Sequence, residues 1–118
     1  MDDRIVRTVF VNLNPGGGTQ DESAPINVMN VRRLTIKSCT VQVNATVNKH
    51  YITSNMVNDV VGIFSGVANI CPPQGEIIYD FPQPRNFQGT YNFQFFSFDG
   101  NPSAITGNCV LHLEFLLA

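Results

Sequence analysis

The histidines are the first residues to consider for chemistry, because the chain contains only two of them. His112 and Glu114 stand two positions apart, and on a β-strand this spacing places both side chains on one face. Such a pair could share a proton or contribute to a metal site. A zinc site, however, requires three or four ligands, and the polar outer face of a strand explains the same two residues. We therefore predict no catalytic site and no metal site, and we predict that the protein is not an enzyme.

Two loops match known ligand-binding segments only in part. The glycine triplet at 16–18 lacks the lysine and the serine or threonine of a phosphate-binding loop. The Asp-Gly-Asn sequence at 99–101 begins like a calcium loop, but the carboxylates that should follow are absent. The second histidine, His50, stands at the start of a predicted strand and is expected to be solvated. These segments predict no cofactor and no small-molecule substrate.

The charge balance argues against nucleic acid as a partner. Lysine and arginine total 7 residues and aspartate and glutamate total 9, which gives a net charge of -2. Phosphate recognition depends on clustered positive charge, which this chain lacks. Arg32, Arg33 and Lys37 form a small basic spot that we expect to be a solvated strand face.

The cysteine count allows two interpretations. Cys39, Cys71 and Cys109 cannot all pair within one chain, and no Cys-x-x-Cys motif is present. Three reduced, buried thiols in a reducing compartment are the favoured interpretation. One disulfide with one free thiol is the alternative.

A proline-rich segment with aromatic neighbours is the best candidate for a contact with another protein. We predict a loop from Pro82 to Gly89, because proline cannot donate a hydrogen bond to a central strand. An exposed aromatic side chain in such a loop would anchor a partner's pocket. The candidate subunit-interface residues are therefore Phe81, Arg85 and Phe87, together with the pair His112 and Glu114.

The elements that must position these residues are predicted to be β-strands. Apolar and polar residues alternate with a period of two in several segments, and no sustained helical period is present. In the last segment the odd positions from Cys109 to Leu117 are expected to face the core. We predict an all-β fold, an antiparallel β-sandwich and more specifically a single jelly roll, with seven or eight strands. The segments are 4–13, 26–28, 33–43, 50–54, 60–67, 76–81, 91–98 and 108–117.

Length and composition indicate one folded unit that other protein chains cover. The 118 residues predict a single domain over 1–118, and 43% hydrophobic residues suffice for its core. Charged residues make up 14%, against about 25% in an average soluble domain. No basic start and apolar leader are present, and no apolar stretch approaches the ~20 residues of a membrane span. We expect synthesis in a cytoplasm, no membrane span, and assembly with like copies.

Parts of the sequence resemble the penton or minor capsid proteins of icosahedral double-stranded DNA viruses, including large algal and amoebal viruses, virophages and polinton-like elements. The resemblance spans about Leu34 to Phe115 and concerns short strand and turn patterns. These are Tyr51–Val57, Val60–Gly62, Phe93–Phe98, the turn Asp99-Gly100, Ile105–Asn108 and Cys109–Phe115.

The resemblance implies a structural virion protein with one jelly roll and no catalysis. Its partners would be copies of itself and other capsid proteins, and it would be made in the host cytoplasm. The alternative function is a carbohydrate- or receptor-binding β-sandwich module, such as a trimeric fibre tip or a lectin-like domain.

Overall fold

A computed structural model describes residues 5–14, 21–44, 49–65, 76–97 and 106–118. The described residues form six β-strands and no helix. The all-β antiparallel fold class predicted from the sequence is thereby confirmed, while the jelly-roll connectivity stays a prediction. The strands are β1 (Val6–Leu13), β2 (Asp21–Asn44), β3 (Lys49–Ser54), β4 (Asp59–Ser65), β5 (Ile77–Ser97) and β6 (Thr106–Leu117).

All six strands belong to one antiparallel sheet with the order β1-β6-β2-β5-β3-β4. The two long strands β2 and β5 make the sheet curl, because their pairing is interrupted by register shifts between Val28 and Arg33. Asn30 lies at this interruption with a φ of 62°, a left-handed conformation that asparagine tolerates better than most residues. The sheet curls into a half-barrel, so that one face is interior and the other faces outward.

The strand number differs from the predicted seven or eight because two pairs of predicted strands are continuous. Segments 26–28 and 33–43 lie in β2, and segments 76–81 and 91–98 lie largely in β5. The predicted loop from Pro82 to Gly89 is therefore wrong. Its prolines nevertheless fit the sheet, because Asp80 pairs with Arg33 and Arg85 pairs with Val31, and residues 81–84 between them have no partner on β2.

The interior face holds the apolar side chains that fill the core. In β6 the side chains of Cys109, Leu111, Leu113 and Phe115 are all buried, which confirms the predicted alternation of this strand. Residues 55–58 form a turn from β3 to β4, in the gap between the predicted segments 50–54 and 60–67. Among the described residues, no helix has the length and apolar character required to cross a membrane.

Replacing Gly62 by Ala is expected to lower the free energy of unfolding by about 1–3 kcal/mol, the usual cost of overpacking a core. An added Cβ would lie 3.1 Å from Cys39 Sγ, 3.2 Å from Leu111 Cδ2 and 3.3 Å from Ile52 Cδ1. These three side chains are buried, so none can move into solvent to relieve the contact. Urea unfolding measures the difference. Thr90→Ala, at an exposed site, is the control and should change stability by less than about 0.5 kcal/mol; equal stabilities for the two variants would contradict this packing.

Candidate functional site

The five residues predicted to form an interface lie on opposite faces of the sheet. Phe81 and Phe87 pack with the core on the interior face of β5. His112 and Glu114 alternate with the buried residues of β6 and therefore lie on the outward face. The structure does not bring these residues together into one patch.

Phe87 is a core residue, and the expectation that it is an exposed loop aromatic is wrong. Its side chain is 1% exposed. Its ring centroid lies 5.7 Å from that of Phe81, 6.0 Å from that of Tyr91 and 5.6 Å from that of Phe115. The cause is the continuation of β5, which pairs Phe87 with Val28 and directs the ring into the interior.

Arg85 connects β5 to the turn between β3 and β4. Its guanidinium carbon lies 4.9 Å from the ring centroid of Phe81 and 5.1 Å from that of Phe87. Its Nη2 donates a hydrogen bond of 3.1 Å to the carbonyl oxygen of Met56. Cation–π contact and a charge-assisted hydrogen bond both stabilise this arrangement, so Arg85 has a structural role within its own chain.

His112 and Glu114 lie half-buried on the outward face beside the edge strand β1. The His112 ring stacks on Phe10, with centroids 4.7 Å apart and an interplanar angle of 26°. Glu114 pairs with Thr8 on one side and Thr35 on the other. The described residues contain no group of three or more histidine, cysteine, aspartate or glutamate side chains placed to hold a metal ion.

Three large apolar side chains are exposed at the β1 edge, which we define as Ile5, Val6 and Phe10. They are 59%, 48% and 60% exposed. β1 is the last strand on its side of the sheet, so its outer backbone edge has no strand partner among the described residues. An apolar edge strand is a site where further protein pairs or packs. The sequence carries a signal for this surface, because segment 4–13 has apolar residues on both of its alternating faces. Among the described residues, Val6 and Phe10 on the outward face of β1 remain exposed.

The predicted basic spot is largely neutralised by carboxylates. Arg33 Nε lies 2.6 Å from Asp80 Oδ1, and Lys37 Nζ lies 2.5 Å from Glu76 Oε1. The hydrogen bond and the charge of Glu76 raise the pKa of Lys37. Exposed pairs of this kind contribute little to stability, and they leave little free positive charge for a phosphate.

Three side chains that can ionise, those of His50, Cys39 and Cys109, are buried in the core. His50 is fully buried, so the expectation of a solvated imidazole is wrong. Cys39 and Cys109 are free and buried, as predicted, with their Sγ atoms 3.6 Å apart. The hydrogen bond to Cys109 and burial raise the pKa of Cys39 far above its usual value. Cys71, the glycine triplet at 16–18 and the segment at 99–101 lie outside the described residues.

Raising the pH above about 8.5 is expected to destabilise the folded chain through Cys39. Above this pH the unfolded thiol ionises while the folded thiol keeps its proton, so the unfolded state binds fewer protons and stability falls. The slope is up to about 1.4 kcal/mol per pH unit. Urea unfolding under reducing conditions at pH values of about 7.5 and 9.5 tests this, with Cys39→Ala as the reference. The loss in wild type should exceed the loss in the variant; equal losses would show that Cys39 does not titrate as described.

No protein-family model matches the sequence, and no curated protein matches it. Among solved structures, the chain is similar to the serine protease of Aeromonas sobria, with a TM-score of 0.49 and 8% identity. It is also similar to VP2 of the infectious bursal disease virus subviral particle, with a TM-score of 0.43 and 10% identity. A third is the virus-like particle of the extra small virus of the giant freshwater prawn Macrobrachium rosenbergii, with a TM-score of 0.35 and 8% identity.

The extent of these matches differs. The alignment with the protease covers 100% of this chain and 28% of the protease chain. The alignment with VP2 covers 98% of this chain and 33% of VP2. The alignment with the prawn-virus protein covers 100% of this chain and 82% of that protein. The chain thus spans about a quarter of the protease and a third of VP2.

Proposed function

We propose that this chain is a single-domain structural subunit of a viral capsid, a minor capsid or penton protein, that assembles with copies of itself and with other capsid proteins. The observation that supports assembly is the β1 edge, where Ile5, directly before β1, and Val6 and Phe10 on β1 are exposed; β1 is the last strand on its side of the described sheet. The viral part of the proposal comes from the resemblance of the closing strands to capsid proteins. The chain would be made in the host cytoplasm and reside in the virion.

The proposed occupant of the β1 edge is another copy of this chain. The net charge of -2 is small, so that copies repel each other only weakly at close approach. A closed ring also requires two different patches on each copy that complement each other. β4 ends the sheet on the side opposite β1 and exposes Ile63, which is 38% exposed. The exposed apolar side chains at the two ends of the described sheet therefore provide the two different patches that a head-to-tail ring needs.

The oligomeric mass of the purified chain tests this proposal. Sedimentation velocity and native mass spectrometry from about 1 to 100 µM cover the affinity range of weak and tight assemblies. We expect a discrete closed oligomer, seen as a ring or shell in negative-stain electron microscopy. A pentamer supports the penton role, and a trimer supports the fibre-tip alternative. A chain that stays monomeric over the whole range contradicts assembly as its function.

A further inference from the structure

The outward face of β3 and β5 differs in chemistry from the β1 edge. A shallow depression of about 140 Å³ lies there, lined by Thr53, Ser54, Asn55, Asn92 and Gln94. All five lining residues are uncharged, and the side chains of Thr53, Asn55, Asn92 and Gln94 are at least partly exposed, whereas Ser54 is buried. Hydroxyl and amide groups together supply both donors and acceptors, which suits a ligand whose own groups do both.

Two aromatic rings adjoin this depression on the same face. Tyr51 pairs with Phe96 across β3 and β5, and the next outward pair in the register is Thr53 with Gln94. The rings of Tyr51 and Phe96 stack with centroids 5.4 Å apart and an interplanar angle of 22°. Both residues are partly exposed. Aromatic surface beside hydrogen-bonding groups matches a ligand with apolar C–H faces and polar edges.

The depression is held in place by the backbone before any ligand binds. The amide of Asn92 donates a hydrogen bond of 2.9 Å to Asn55 Oδ1, and the amide of Asn55 donates one of 3.4 Å to the carbonyl oxygen of Asn92. Ser54 Oγ accepts from the amide of Met56 at 3.1 Å. Asn55 Nδ2 and the side-chain amides of Asn92 and Gln94 have no protein partner among the described residues. The backbone of the site is thus preformed, and binding has to order only the exposed side-chain amides.

We propose that this surface, named here the amide depression and consisting of Thr53, Ser54, Asn55, Asn92 and Gln94, binds a neutral glycan. A sugar ring offers hydroxyl groups to the amides and C–H faces to the rings of Tyr51 and Phe96. The depression is shallow and open to solvent, so it would receive one edge of a sugar ring rather than enclose it. No charged side chain lines the depression, so sialylated or sulfated sugars gain nothing from it.

This inference does not depend on assembly through the β1 edge. The two surfaces are separated in the sheet by β6 and β2, and no residue belongs to both. A glycan site would serve either a capsid protein that contacts cell surfaces or a receptor-binding module. Ile63, the second proposed contact of the ring, pairs with Tyr51 beside the depression. The test variants are therefore confined to Asn92 and Gln94 on β5, which belong to neither assembly patch.

A glycan array probed with the purified full-length chain tests the proposal. The array contains glycans terminating in glucose, galactose, mannose and N-acetylglucosamine, with sialylated and sulfated glycans for comparison. We expect binding to at least one neutral glycan, confirmed by saturation-transfer NMR and titration calorimetry. Asn92→Ala with Gln94→Ala should weaken that binding about tenfold or more, as expected for lost ligand hydrogen bonds.

The control variant changes the same strand outside the depression. Gln88 and Thr90 are exposed on the outward face of β5, and Gln88→Ala with Thr90→Ala should leave the affinity within about twofold. Circular dichroism and unfolding curves confirm that both double variants fold. The proposal is overturned when no neutral glycan binds at concentrations of about 10 mM, or when the depression variant binds as tightly as the control.

Discussion

Phe87→Ala should lower the free energy of unfolding by about 3–5 kcal/mol, because it removes a fully buried ring from the centre of the core. The ring contacts Phe81, Tyr91 and Phe115, and the guanidinium of Arg85 lies above it. The substitution leaves a cavity that rigid β-strands cannot close. A loss of this size is a large part of the about 5–15 kcal/mol that stabilises a typical domain.

The matched control for this prediction is Phe10→Ala, the same substitution at a site that is 60% exposed. It removes an exposed stacking contact with His112 and should cost about 1 kcal/mol or less when measured on monomeric chains. Urea unfolding followed by circular dichroism, at protein concentrations low enough to exclude assembly, compares the two. Similar losses for Phe87→Ala and Phe10→Ala would mean that Phe87 is not in the core.

Phe10→Asp should weaken assembly of the chain about 100-fold or more, because it places a charge at the centre of the proposed contact. Burial of an aromatic side chain at an interface typically contributes about 2–4 kcal/mol, and an unpaired charge adds a desolvation cost. Val6→Asp, on the same outward face of β1, should act in the same direction. Sedimentation equilibrium of wild type and variants gives the association constants.

A charge control separates a local effect from general repulsion. Thr90→Asp adds the same charge on the outward face of β5, away from the β1 edge, and should leave assembly within about threefold of wild type. Circular dichroism should show that all variants keep the β-fold. If Thr90→Asp and Phe10→Asp weaken assembly equally, the contact does not lie at β1.

The sequence predicted the elements whose alternation is regular. In β6 the odd positions are apolar and face the interior, as expected, because a central strand with one buried face keeps a strict period of two. β3, the turn at 55–58 and β4 were also predicted near their observed positions. Local pattern and tertiary structure agree in these segments.

The sequence could not predict how the long strands bend. Pro82 and Pro84 indicated a loop, yet β5 continues through them. The reason is that the pairing with β2 is interrupted between Val28 and Arg33, so no strand pairing is required of these prolines. That match between two strands 50 residues apart is a tertiary property, which no local pattern contains. The error placed Phe87 at the surface, whereas its burial follows from its pairing with Val28.

Of the candidate surfaces, only the residues that share one strand could be predicted, because contacts between strands depend on how the strands pair. His112 and Glu114 were expected together on an outward face, and they lie on one. The contact between His112 and Phe10 was not expected, because it depends on the pairing of the first and last strands. The amide depression joins β3, β5 and the turn between β3 and β4, so its residues are distant in sequence and no motif indicated them.

Amide hydrogen exchange in β1 is the most direct test of a second copy at this edge. One set of β1 amides bonds to β6, and the other set, which no described strand pairs with, would bond to a neighbouring copy. In the wild-type oligomer we predict that both sets exchange slowly, and that only the free set becomes fast in the Phe10→Asp variant. Equally fast exchange of the free set in both proteins, with wild type fully oligomeric, would contradict the account.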